Sequence, residues 1–193
     1  MQASSQRLVD RVWPRGGERA YLRATTLALA GTLALAISAK IQVPFYPVPM
    51  TLQTLAVLVL GAAFGPRLAA ATVALYLAEG LAGLPVFAGD LAGPAYVVGP
   101  TGGFLVGFLP AAYLVGLLVE RGWAKGLLAM AAVMAVGHAV IFALGWSWLA
   151  MAVGPVKAYL FGVEPFYLAT LLKTALAAAL IASAGRSLRG GLA

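Results

Sequence analysis

From Tyr21 onward the chain runs as apolar segments of about 15 to 20 residues, broken by proline and glycine, with its charges gathered at segment ends. About 20 residues of helix cross the hydrocarbon of a bilayer at 1.5 Å per residue. A chain patterned this way is confined to membrane architectures, in which every backbone polar group must find its partner inside the protein. Composition agrees. Of 193 residues 62% are hydrophobic and 10% charged, whereas soluble domains carry about 25% charged residues. The expectation is an all-α integral membrane protein with six transmembrane helices. A basic segment at 1–20 precedes the membrane domain at 21–193.

The spans are read at about Tyr21–Ile41, Met50–Phe64, Arg67–Leu81, Thr101–Val119, Lys125–Leu144 and Pro165–Ala184. The second and third are short for a full crossing. An interfacial helix is read from about Ser4 to Trp13, and the first span is read as retained rather than cleaved. With the amino terminus in the cytoplasm, Arg7, Arg11, Arg15, Arg19, Arg23, Arg67, Arg121, Lys125, Arg186 and Arg189 all lie inside, and only Lys157 is clearly outside. That satisfies the positive-inside rule and puts both termini in the cytoplasm. It also explains the net charge of +7 without nucleic acid.

Three connections then fall outside: 42–50 with Pro44, Pro47 and Pro49, 83–103, and 145–163. The segment 83–103 holds three prolines and six glycines, so no continuous helix can run through it. It is too apolar for disorder, and Phe87, Asp90 and Tyr96 make it more than a spacer. It is read as a cap over a pocket.

Polar groups inside spans are costly and few. Lys173 lies about two turns into the sixth span, on one face with Phe166, Thr170 and Ala177. Thr72, Tyr76 and Glu79 share a face of the third. Thr51 and Gln53 open the second, and Thr101 opens the fourth, where its hydroxyl is placed to cap the helix. Helix amino termini favour anions. Together with Lys173 they suit the outer pocket to a small carboxylate whose apolar body packs on Phe45, Tyr46, Phe87, Tyr96 and Phe166. The competing reading of Lys173 is an ion pair with Glu79 or Glu164. His138 is read as an interhelical hydrogen bond, Asp90 as a turn former, and Trp13, Trp123, Trp146 and Trp148 as interface anchors.

Catalysis finds no support. There is one histidine and no cysteine, and neither a nucleophile elbow nor a zinc-protease motif. No metal site or cofactor is expected. Without a Gly-Lys dipeptide there is no Walker A motif, so any ATP hydrolysis belongs to another subunit.

Four ordered blocks carry a family resemblance: Pro47-Val-Pro-Met-Thr-Leu-Gln-Thr54, Tyr76 through Gly80, Gly83-Leu-Pro-Val-Phe-Ala88, and Gly99-Pro-Thr-Gly-Gly-Phe104. In order and spacing they resemble the BioY family, the biotin-specific S components of energy-coupling factor transporters. The resemblance runs from about Ala24 to Leu180. It implies a six-helix subunit of the cell membrane that captures biotin from outside. Its implied partners are a transmembrane coupling protein and two ATP-binding-cassette ATPases. It further implies that Ala-xxx-Ala spacing on the first helix meets the coupling protein, here at Ala30 and Ala34, with Ala24 and Ala28 the weaker pair. The family's last helix resembles Pro165-Phe166 followed by Lys173, but its acid position holds Thr170. That acid is expected to meet the ureido N–H groups of biotin, so Gln53, Glu79 or Glu164 would have to replace it, or affinity falls. The resemblance thus implies Gln53, Glu79 and Thr170 at the ureido end, Phe87, Tyr96 and Phe45 on the rings, and Lys173 on the carboxylate or the ureido oxygen. A stand-alone carrier or channel for biotin or a related carboxylate, without ATPases, is the alternative.

Overall fold

The structure is a computed structural model that describes residues 8–13, 20–89 and 92–190. It is mostly helical, in the order α1 (Leu8–Val12), α2 (Ala20–Lys40), β1 (Gln42–Val43), β2 (Met50–Thr51), α3 (Gln53–Phe64), α4 (Pro66–Leu81), α5 (Pro94–Val97), α6 (Gly102–Glu120), α7 (Leu127–Val153), α8 (Pro155–Gly162) and α9 (Tyr167–Gly190). Helices α2, α6 and α7 and the segment Pro155–Ser187 are long and apolar enough to cross a membrane. Helices α3 and α4, with 12 and 16 residues, are shorter. Of the expected amino-terminal helix only Leu8–Val12 is seen, and Ser4–Arg7 lie outside the described residues, as does Asp90.

Three boundaries differ from the sequence reading, the simplest being α9, which runs on to Gly190 past the expected end at Ala184. The connection expected at 145–163 is largely helical. Helix α7 runs through Gly145 to Val153, and Gly154, at a φ of 83°, turns the chain into α8 with Pro155 in its first turn. Gly145 does not break α7, because its missing side chain is where the Phe104 ring of α6 packs. The second span is also shorter than expected. Residues Met50–Thr51 pair instead with Gln42–Val43 in a two-stranded antiparallel hairpin.

Helix α6 is the central element. Gly61 of α3 approaches its Ala112 carbonyl, and its Gly116 meets the Gly65–Pro66 turn that joins α3 to α4. Its amino end meets α7 at Gly102 and Gly103, which lie against Trp148. Any side chain at Gly103 would overlap the Trp148 Cβ. Trp148 is therefore a packing residue rather than the interface anchor expected, and its indole N–H holds the Gly99 carbonyl at 3.0 Å. Such close helix contacts at small residues are the usual way membrane helices gain packing energy, since lipid offers no hydrophobic drive between them. Pro110 inside α6 has no N–H to give the Val106 carbonyl, a break in the ladder that is tolerated in this setting.

Replacing Gly103 with valine should force α7 off α6 and cost about 1–3 kcal/mol, the usual range for overpacking. A lowered thermal midpoint of the detergent-solubilised protein is expected; an unchanged midpoint would remove the close-approach role.

Candidate functional site

A cavity opens between the hairpin, the cap and helices α3, α6, α7 and α9. Its empty space, the open mouth included, is about 520 Å³. The polar side chains lining it are Thr51, Gln53, Thr54, Tyr96, Thr101 and Lys173. Its apolar walls include Phe104, Phe108, Phe142 and Phe166. Few polar groups set in an apolar, aromatic surround is the usual composition of a small-molecule site.

The polar groups are tied together. Lys173 on α9 is buried, 9% exposed, and its ammonium donates to the Thr51 carbonyl at 2.7 Å. No ion pair joins it to Glu79 or Glu164, so the carboxylate partners weighed from sequence are not used. The Thr51 hydroxyl donates to Gln53 Oε1 and accepts the Gln53 backbone N–H. Gln53 Nε2 donates to the Tyr76 hydroxyl at 2.6 Å, and that hydroxyl donates to the Val86 carbonyl at 2.8 Å. Tyr76 lies on the buried face of α4 with Thr72.

Aromatic rings form two walls. On the cap side Tyr96 stacks on Phe87, with centroids 5.0 Å apart, and Phe87 meets Tyr76 edge-on at 5.5 Å. Gly80 on α4 makes room for Phe87, since any side chain there would overlap the ring. Burial pushes the Tyr96 phenol above its ordinary range, opposed by hydrogen bonding to Thr101 and to the Ala88 backbone. Opposite, Phe104, Phe142, Phe166 and Phe45 follow one another at 6.0 to 6.3 Å. The cap is pinned by Lys40, whose ammonium donates to the Gly89 carbonyl at 2.6 Å, and by Gly93 N–H on the Gly80 carbonyl.

Of the residues expected at the site, Thr51, Gln53, Tyr96, Thr101 and Lys173 line the cavity. Phe87 backs Tyr96 from behind, fully buried. Phe45 packs on Phe166 near the rim, half exposed, and does not line the cavity. Glu79 and Thr170 are only partly buried and are not among the lining residues. Thr101 does occupy the cap position of α6, but its hydroxyl makes no capping bond. The face expected from Phe166 through Lys173 to Ala177 is buried at all three, with Thr170 at its margin. His138 makes the expected interhelical bond, Nδ1 to the Thr174 hydroxyl at 3.0 Å, while its Nε2 has no partner.

Sequence reasoning missed Thr54, Phe104, Phe108, Ile141 and Phe142 as lining residues. Phe104 and Phe108 stand one helical turn apart on α6, a spacing that puts both on one face. Nothing local distinguishes Thr54 or Phe142. On α2, Ala30 and Ala34 are exposed in a stripe with Leu33 and Ile37, whereas Ala24 and Ala28 are half-buried. Among the described residues no cluster of metal ligands occurs.

Several apolar helices packed around a capped internal cavity mark a multi-pass membrane protein. A sequence model described as the BioY family matches residues 7–190, and the chain belongs to that family. It is 39% identical over 141 residues to the probable biotin transporter BioY of Pyrococcus horikoshii, covering 73% of this chain and 83% of that one. It is 36% identical over 148 residues to the biotin transporter BioY of Thermotoga maritima, covering 76% and 86%. The fold is similar to that in a crystal structure of the S-component for biotin from an ECF-type ABC transporter. The TM-score is 0.78 at 24% identity, over 91% of this chain and 95% of that chain.

Tyr76→Phe should strand the Gln53 amide and free the Val86 carbonyl, at a cost of about 1–3 kcal/mol. Thermal unfolding reads this directly, and a midpoint equal to that of the native protein would count against the network.

Proposed function

We propose that this chain is the substrate-binding S component of a biotin uptake system, a transporter subunit rather than an enzyme. Membership of the BioY family is the observation that carries the reading. The cavity supports it. Biotin offers a flat ureido ring fused to a saturated thioether ring for the two aromatic walls, with a ureido carbonyl, two ureido N–H groups and a carboxylate. The cavity offers one ammonium, Lys173, and hydrogen-bonding groups on Gln53, Thr51, Tyr96 and Thr101. Thr170 at the margin and Glu79 outside the lining leave Gln53 as the better-placed substitute for the family's acid at the ureido end.

In this proposal the chain crosses the cell membrane six times, α3 and α4 being the short crossings, with both termini in the cytoplasm. The placement of lysine and arginine supports that orientation. The basic segment 1–20 then lies inside, and the hairpin and cap close the site from outside. Biotin is captured outside and delivered inward with a transmembrane coupling protein and two ATP-binding-cassette ATPases. The exposed Ala30–Ala34 stripe of α2 suits close approach by a partner helix. No cofactor is required beyond the ATP used by the partners.

The purified chain should bind biotin in detergent without ATP or partners, and Lys173→Ala should weaken binding by about tenfold or more, the loss expected for a deleted buried charge contact. Calorimetry with biotin and with uncharged biotin amide separates the roles. A loss confined to biotin assigns Lys173 to the carboxylate; an equal loss for both ligands counts against that assignment.

Ala30→Trp and Ala34→Trp should leave biotin binding intact and abolish ATP-dependent uptake into vesicles carrying the coupling module. Uptake by the chain alone, in liposomes without ATP, would favour a stand-alone carrier.

A further inference from the structure

Six polar side chains line the cavity, and five of them interact with other groups of the protein. Thr51 and Gln53 bond each other, Gln53 also holds Tyr76, and Lys173 holds the Thr51 carbonyl. Hydrogen bonding to Thr101 opposes the upward push of burial on the Tyr96 phenol. The sixth is Thr54. Its Oγ1 is buried and has no partner.

This is unusual for a threonine in a helix. A helical threonine normally satisfies its hydroxyl on the carbonyl one turn earlier, as Thr26 does on Leu22 and Thr72 on Leu68. Thr54 sits in the first turn of α3, and four residues before it is Met50, in β2. The chain there is extended, so the usual local partner is not in position. A hydroxyl removed from solvent without a partner is a cost that packing alone would have removed by valine. Thr54 lines the cavity, yet a water molecule there does not reach this oxygen, so the cost is recovered only when the wall shifts around a bound group that supplies the bond.

The surroundings decide which kind of group. The lining holds the Lys173 ammonium and no carboxylate side chain. Such a cavity favours oxygen acceptors on a ligand over donors. We infer that Thr54 is a specificity-determining residue whose hydroxyl donates to an oxygen of the bound ligand. The inference rests on the biotin reading above, in which the ligand carries two such oxygens, the ureido carbonyl and the carboxylate. The bond would make the site select for ligands with an acceptor at that point, because one lacking it leaves the hydroxyl orphaned.

The test is biotin binding by calorimetry to the purified native chain, Thr54→Val and Thr54→Ser, beside thermal unfolding of each without biotin. Valine keeps the shape and removes the hydroxyl. Thr54→Val should lose about tenfold or more in affinity, and Thr54→Ser should stay within about threefold of native. The ligand-free thermal midpoint of Thr54→Val should equal or exceed the native one, since no internal bond is lost. That pairing of weaker binding with undiminished stability is one a purely structural role does not produce. Repeating the series with biotin amide locates the oxygen: a loss shared by both ligands places it on the ureido carbonyl, and a loss with biotin alone places it on the carboxylate. Either result supports the assignment. A native chain that binds biotin, with Thr54→Val binding equally well, overturns the assignment and leaves the biotin reading standing. So does an affinity loss in Thr54→Val that tracks a fall in the ligand-free midpoint. A native chain that does not bind biotin overturns both.

Discussion

A polar group buried in a bilayer has no water to fall back on, and one continuous chain of hydrogen bonds answers that demand here. It starts at the Lys173 ammonium on α9 and passes through the Thr51 carbonyl in β2. It continues through Thr51 and Gln53 to the Tyr76 hydroxyl on α4 and ends on the Val86 carbonyl in the cap. Each link satisfies a group that would otherwise be costly, and together they join elements that are distant in sequence. Lys173 and Thr51 are 122 residues apart. The cavity is shaped by this chain, because the strand, the helix start and the cap are fixed relative to α9 by it.

The chain also sets what is left for a ligand. Side chains already committed to one another are oriented and cannot swing freely, which is the condition for a preorganised site. Lys173 retains donors beyond the one given to Thr51, since an ammonium has three. Thr54 retains its hydroxyl whole. The aromatic walls are held as firmly, one by the Tyr76–Phe87–Tyr96 stack under the cap and the other by packing around α6 and α9. Glycines at 80, 103 and 145 allow that packing by leaving room for an aromatic side chain of another segment.

Much of the fold was legible because helices in lipid announce themselves by apolar length and by proline and glycine at their ends. The break at Gly65–Pro66 and the ends of α2, α4 and α6 fall within two residues of their sequence readings. The extent of α7 was not legible. Gly145 and two tryptophans look like the start of a loop, and only the Phe104 ring lying over Gly145 explains why the helix continues. Likewise Trp148 reads as an interface anchor until Gly102 and Gly103 bring it against α6. Glu79 and Thr170 illustrate a different limit. Helical spacing gives the face of a residue but not its angle to a neighbour, and both fall outside the lining of the cavity.

By itself the sequence determined the membrane class, the helix breaks, the cap and most of the polar lining, along with a family resemblance confirmed by the match over residues 7–190. These follow from composition and local order, which bilayer thickness and backbone chemistry translate directly into structure. Tertiary structure alone decided which carbonyl takes the Lys173 ammonium, that Tyr76 is a bridge, that Phe142 and Phe104 make a wall, and that the Thr54 hydroxyl is left without a partner. Those outcomes depend on how separate helices cross and rotate against one another, and packing distances between distant segments set that geometry.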